Sequence, residues 1–98
     1  MKIRIIDRVG VFAENKDLAS DIRKEELEPA LEKGKRVVLD FENVEGATQS
    51  FIHALISDLI RKYGAEVLDL IEFKHCNSTI RAIITIVTEY MQQVDASD

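Results

Sequence analysis

The stretch LDFENVEGATQSFIHALISDL, from Leu39 to Leu59, joins the end of an apolar strand to the start of a long amphipathic helix. The strand is predicted over Arg36–Phe41, because RVVLDF contains an uninterrupted apolar run rich in β-branched residues. Such a run is typical of a central strand that is covered on both faces. After the loop ENVEGA, a helix is predicted from Gln49 to Tyr63, and Gly64 closes it.

The segments before and after this stretch also alternate between strand and helix. KIRII alternates charged and apolar residues, and VGVFA is predicted to return as the second strand of a hairpin. Residues 16–33 are predicted to be helical up to Gly34, with Pro29 causing a kink or a division into two short helices. LIEFKHC is predicted as the last strand, with Ile71, Phe73 and His75 on one face, before a final helix.

The predicted order β-β-α-β-α-β-α favours an α/β fold, a small mixed or largely parallel β-sheet with helices packed on it. With 98 residues, the chain is predicted to form a single domain over 1–98, with a core at 1–93 and a frayed tail at 94–98. Right-handed crossovers are expected to bring the end of the central strand and the start of the Gln49–Tyr63 helix to one rim.

Composition argues against several classes of partner. The net charge is −5, and the longest basic run is the pair Lys35–Arg36, so neither nucleic acid nor an anionic membrane is expected as a partner. Cys76 is the only cysteine, which excludes an intrachain disulfide. No apolar run suggests a signal peptide or a membrane span. We therefore expect a soluble, cytoplasmic domain.

The polar corner formed by Thr48, Gln49 and Ser50 has two interpretations. A hydroxyl here can cap the helix by accepting a hydrogen bond from a backbone N–H near the helix start. Thr48 or Ser50 is also a candidate phosphorylation site, because a helix N-terminus tolerates a phosphate electrostatically. Together with Asp40 and Asn43, these two hydroxyl residues form a candidate rim for a small ligand, since α/β proteins bind ligands near the carboxyl ends of strands.

The Gln49–Tyr63 helix has an unusually wide apolar arc, which covers about half of its circumference. The whole arc could belong to the core. Alternatively, one edge of the arc forms a surface for a protein partner, with candidate residues Gln49, His53, Ile56, Ile60 and Tyr63.

The sequence contains no recognisable catalytic or metal-binding constellation. It lacks a glycine-rich phosphate loop, and Ser50 and His53 share one helix without a third group to orient them. His75 and Cys76 are neighbours in the predicted strand and would point to opposite faces, so they are not expected to share a metal ion. We predict neither enzymatic activity nor a cofactor.

Residues Val37–Phe41, Val44 and Thr48–Phe51 resemble the STAS domain family, the fold of anti-sigma-factor antagonists and of sulfate-transporter tails. The similarity extends to a STAS-like family of unknown function among small bacterial proteins, and the order of elements agrees over about residues 1–93. In STAS antagonists the matching corner reads Asp-Ser-Ser-Gly, and its first serine is phosphorylated by a kinase that is also an anti-sigma factor. Gln49 occupies that position here, so the usual switch is missing.

The resemblance implies a non-enzymatic regulatory domain that binds a protein partner, either an anti-sigma factor or a histidine-kinase-like ATPase. STAS domains usually contact such partners through the helix after the central strand and the loop before it. Two alternatives remain, a small-ligand or nucleotide sensor and a structural subunit of a homodimer or larger homo-oligomer. The last alternative would use the excess apolar residues around Ile86 and Tyr90.

Overall fold

A computed structural model of the chain describes the backbone of residues 1–96 and the side chains of residues 1–92. The expected frayed tail at 94–98 lies outside the residues whose side chains are described. The elements, in chain order, are β1 (Lys2–Arg4), α1 (Ile5–Val9), β2 (Phe12–Ala13), α2 (Lys16–Ile22), a π-helical turn (Arg23–Leu27), α3 (Glu28–Glu32), β3 (Val37–Asp40), β4 (Gly46–Ala47), α4 (Gln49–Tyr63), a 3₁₀ segment (Ala65–Leu70), β5 (Ile71–Lys74) and α5 (Ser78–Ala96). This alternation of strands and helices confirms the predicted α/β fold.

The strands form two small sheets, and all the pairs among the described residues are parallel. β3 lies at the centre of a three-stranded sheet, between β1 and β5, and β2 pairs separately with β4. Within residues 1–96, no helix is both long and apolar enough to cross a membrane.

The predicted N-terminal hairpin is wrong. Ile5 and Ile6 begin the helix α1, and β2 pairs with β4 instead of returning along β1. A strand would place Ile5 and Ile6 on opposite faces, whereas successive residues of a helix are only about 100° apart. The helix therefore buries Ile5 completely and Ile6 partly. Gly10, with a φ of 81°, then redirects the chain into β2.

The three-stranded sheet is buried on one face only. The strand register aligns Ile3, Leu39 and Phe73, which belong to the core or pack against it. The opposite face, called the open face below, carries Lys2, Arg4, Val38, Asp40, Glu72 and Lys74. The charged side chains of β1 and β5 on this face are exposed, whereas on β3 Val38 is half-buried and Asp40 is 1% exposed, so the expectation that β3 is covered on both faces holds only in part. The apolar run of β3 predicts burial on both faces because the sequence gives no sign that a valine such as Val38 will be partly exposed.

The helical region before β3 divides at Pro29, as predicted. Pro29 lacks an N–H, and the preceding turn is π-helical, with the Glu28 N–H donating to the Arg23 carbonyl. After α3, Gly34 adopts a φ of 72°. The Lys35 N–H donates to the Ala30 carbonyl at 3.0 Å, which terminates the helix in the expected way.

Helix α4 lies between α2 and α5 and supplies much of the core. Its apolar arc is buried almost completely, at Phe51, Ile52, Leu55, Ile56, Leu59 and Ile60. The interpretation of Ile56 and Ile60 as a partner surface is therefore wrong, because helices on both sides of α4 cover the full width of the arc. On α5, by contrast, the side chains of Ile86 and Tyr90 are exposed.

Candidate functional site

Thr48 caps helix α4, as the first interpretation of the polar corner predicted. Its Oγ1 accepts a hydrogen bond from the Phe51 N–H at 3.1 Å, while its own N–H donates to the Ala13 carbonyl at 2.9 Å. The second bond ties the start of α4 to β2. Gln49 and Ser50 are exposed, so Ser50 keeps a hydroxyl in contact with solvent.

We expect Thr48→Ala to lower the free energy of unfolding by about 1 kcal/mol, because the Phe51 N–H loses its acceptor. Ser50→Ala is the matched control and should have little effect, since Ser50 is exposed and makes no capping bond in the structure. Urea denaturation of both variants measures the difference. Equal losses for the two variants would contradict the assignment of Thr48 as the cap.

An exposed apolar pair lies beside this corner. Val11 is 50% exposed and Phe12 is 51% exposed, at the point where β2 begins to pair with β4. The Phe12 ring packs directly on Gly46, where an added Cβ would lie only 2.9 Å from the ring Cε2 atom. Gly46 thus permits the close contact that holds an exposed aromatic ring. The sequence pattern does not identify this pair, because it predicts a hairpin for this segment.

A groove of about 650 Å³ opens near the carboxyl ends of β3 and β5 and the start of α5. Its lining residues are Val11, Glu42, Asn43, Val44, Glu45, His75, Cys76 and Asn77. Of the residues predicted to form the ligand rim, Asn43 lines the groove. Asp40 does not line it, but it hydrogen-bonds to His75, which does. Thr48 and Ser50 do not line it, because β4 carries the chain away before α4 begins. The groove therefore joins only part of the predicted rim.

Asp40 and His75 form a hydrogen-bonded pair next to the groove. Asp40 is 1% exposed, and its Oδ1 lies 2.9 Å from His75 Nδ1 and accepts the Glu42 N–H at 2.9 Å. Lys2 Nζ lies 3.2 Å from the other carboxyl oxygen and forms an ion pair with it. The His75 bond is the main reason that the pKa of Asp40 is lowered from 3.8 to about 2.

The backbone around the groove is strained at two positions. Asn43 has a φ of 65° and His75 a φ of 57°, and both residues line the groove. Such conformations cost about 1–3 kcal/mol each and concentrate at functional sites. His75 was predicted to continue β5. Its left-handed backbone instead ends the strand at Lys74, and its ring hydrogen-bonds to the Asp40 carboxylate.

We expect the Asp40 carboxylate to make stability depend on acidic pH. Because its pKa is lowered on folding from 3.8 to about 2, its contribution is complete above about pH 4 and is lost as pH falls toward 2. Asp40→Asn should therefore cost about 1–3 kcal/mol at neutral pH and progressively less in acid. Urea denaturation of both proteins between pH 7 and about pH 2 tests this. A pH-independent difference would contradict it.

The other predicted site residues on α4 have structural contacts. His53 is half-buried, with Nδ1 3.1 Å from Ser57 Oγ. The Tyr63 hydroxyl donates to Glu32 Oε2 at 2.8 Å and so joins α4 to α3. This bond lowers the pKa of Glu32, whereas partial burial raises the pKa of Tyr63. Among the predicted partner residues, only Gln49 is clearly exposed.

The chemistry available at the groove is that of hydrogen bonding and charge. Burial raises the pKa of the Cys76 thiol, so the thiolate needed for nucleophilic attack is disfavoured at neutral pH. Within the described side chains, no group of three or more His, Cys, Asp and Glu residues is placed to hold a metal ion.

The parallel strands β1, β3 and β5, with the capped helix α4 between β3 and β5 in the chain, define a small α/β domain. The chain belongs to the family described as STAS-like domain of unknown function (DUF4325), whose profile matches residues 19–81. The matched range covers β3, β4, α4 and β5, and it contains the residues on which the sequence resemblance rests. The searches of curated proteins and of solved structures gave no match.

Proposed function

We propose that this chain is a non-enzymatic regulatory domain that binds a protein partner through the surface formed by Val11, Phe12, Gln49 and Ser50. This surface is called the Phe12 surface below. The observation that carries the proposal is the exposed Phe12 ring, which is seated on Gly46. Aromatic side chains are enriched at protein interfaces, and a ring that is already held in place loses little entropy on binding.

The position of this surface also supports a docking role. β2 pairs with β4, and Thr48 follows β4 directly. The Phe12 surface therefore includes the first residues of α4, the helix through which STAS domains usually contact partners. The flanking side chains Glu14 and Glu45 are exposed and acidic. We therefore infer that the partner presents an apolar pocket with basic residues around it, and the family resemblance favours an anti-sigma factor or a histidine-kinase-like ATPase.

Site-specific photo-crosslinking in the native cell tests this proposal. A photoreactive residue at Val11 or Gln49 should yield a discrete crosslinked product with a different protein, whereas the same residue at Glu72 on the open face should not. The captured protein is then purified and its Kd measured. Phe12→Ser should weaken binding about tenfold or more, as expected for an interface aromatic.

Tyr90→Ser is the matched control for Phe12→Ser, because Tyr90 is an aromatic residue that is 57% exposed on a different element, α5. It should leave the Kd unchanged. Equal effects of the two substitutions, or none from Phe12→Ser, would contradict docking at the Phe12 surface.

Ser50 is the better of the two candidate phosphorylation sites in this proposal. Its hydroxyl is exposed, whereas that of Thr48 is engaged in capping. Intact-mass spectrometry of protein purified from its native cell, with sequencing of the modified peptide, tests this. An unmodified chain under several growth conditions would contradict it and favour a constitutive binding module.

The alternative of a homo-oligomer is supported by one observation, the exposed Ile86 and Tyr90 side chains on α5. Sedimentation of the wild type and of Tyr90→Ser distinguishes self-association of the chain from docking to a different protein. A wild-type dimer that dissociates in Tyr90→Ser would favour the structural role. A wild-type monomer would exclude it.

A further inference from the structure

β5 forms one edge of the three-stranded sheet. It pairs with β3 on one side, and no described strand pairs with it on the other. The Phe41 N–H donates to the Lys74 carbonyl at 2.8 Å, so the Lys74 carbonyl faces β3. Because successive residues of a strand direct their backbone groups to opposite sides, the N–H and C=O of Phe73 face outward. β5 therefore presents one donor and one acceptor at the edge of the sheet.

The two neighbours of Phe73 in β5 carry opposite charges. Glu72 and Lys74 lie on the open face and are both exposed. Within the described side chains, neither of them forms an ion pair. The Phe73 side chain is on the other face, half-buried and packed against the core. The order Glu-Phe-Lys is thus complementary in charge to a second copy of itself that runs in the opposite direction.

We propose that two copies of this chain associate by antiparallel pairing of their β5 edges, with a twofold axis at Phe73. The two Phe73 residues then exchange both of their N–H···O bonds, and their half-buried rings meet on the core face. On the open face, Glu72 of each copy lies directly opposite Lys74 of the other, at a position where Cα atoms are about 4.5 Å apart. The inference does not depend on the proposed docking function, because it uses no residue of the Phe12 surface.

The charges on the open face select this register. Antiparallel pairing centred on Glu72 would place two glutamates directly opposite each other, and pairing centred on Lys74 would do the same with two lysines. Like charges in such positions are destabilising, whereas opposite charges stabilise the pair of strands. Of these three registers, only the one centred on Phe73 brings opposite charges together.

The other edge of the sheet, β1, lacks this complementarity. Its side chains on the open face are Lys2 and Arg4, which are both basic. Antiparallel pairing of two β1 strands centred on Ile3 would place Lys2 opposite Arg4, and pairing centred on either basic residue would place it opposite itself. Each of these registers brings like charges together. The association is therefore restricted to β5 and closes as a dimer.

Charge reversal in the full chain tests the proposal by sedimentation equilibrium. Glu72→Lys and Lys74→Glu each place like charges opposite one another in the homodimer, so each should weaken self-association about tenfold or more. An equimolar mixture of the two variants should restore association, because every ion pair re-forms between one chain of each kind. The double variant that carries both reversals should restore the homodimer. Tyr90→Ser, on α5, is the control and should leave the association unchanged.

A short strand edge buries little surface, so the dimer should be weak and is measured up to a protein concentration of about 1 mM. Hydrogen exchange of the Phe73 amide should slow as the protein concentration rises, and urea denaturation verifies that each variant is folded. A wild-type monomer at the highest concentration would overturn the proposal and assign Glu72 and Lys74 to protection of the edge against pairing. A dimer that survives both single reversals, or a mixture of the two variants that fails to associate, would also overturn it.

Discussion

Ile60→Glu should unfold the domain. Ile60 is 1% exposed on the α4 face that lies within the core, so the new carboxylate would be buried without a partner. We expect a loss of about 5 kcal/mol or more, which is comparable to the whole stability at the lower end of the range typical of single domains. Circular dichroism and urea denaturation should show a largely unfolded protein at neutral pH.

Ile86→Glu is the matched control, because Ile86 is 53% exposed on α5 and undergoes the same chemical change. It should alter stability by no more than about 0.5 kcal/mol. If Ile60→Glu folded normally and lost only partner binding, the assignment of Ile60 to the core would be wrong.

Arg23→Ala should produce the second-largest loss, about 3 kcal/mol, because Arg23 joins several elements while almost buried. It lies in the π-helical turn and is 8% exposed. Its guanidinium donates to the Ala54 carbonyl of α4 at 3.1 Å and to the Glu28 carboxylate, and it lies 3.2 Å from Asp58 Oδ2. Among the described side chains, removing it leaves Glu28, which is itself mostly buried, with only the Lys62 ion pair.

Two further variants separate charge from packing at this position. Arg23→Met keeps the aliphatic stem, so a smaller loss than in Arg23→Ala would measure the packing contribution. Arg61→Ala removes a more exposed arginine that also pairs with Asp58, and it should cost no more than about 1 kcal/mol. Equal losses for Arg23→Ala and Arg61→Ala in urea denaturation would show that the buried contacts of Arg23 add no more to the free energy of unfolding than an exposed ion pair does.

The α/β class, the central position of β3, the division at Pro29, the extent of α4 and the Thr48 cap were all predictable from sequence. Each depends on residues that are neighbours along the chain. An apolar run, a proline without an N–H and a hydroxyl three residues before Phe51 act within one element, so their chemistry does not depend on the rest of the fold.

The candidate site was much less predictable. Asp40 and Asn43 were identified because they lie at or just after the end of a strand, but His75 was taken for a strand residue and Phe12 for part of a hairpin. The sequence signals for both residues are weak, since the role of Gly46 becomes visible only when the Phe12 ring packs on it. His75 acquires its role from a carboxylate that is 35 positions earlier in the chain.

The sequence alone determined the strand β3 and the start and end of α4, because these depend on local hydrogen bonding and on the periodicity of apolar residues, whereas it assigned Ile5 and Ile6 to a strand instead of α1. Only the tertiary structure decided that the sheet is open on one face, that the whole apolar arc of α4 is core and that Arg23 is buried. Exposure depends on which other elements lie against a residue, and that is a property of the assembled fold. The pairing of Asp40 with His75 has the same origin, since it forms only when β3 and β5 lie side by side.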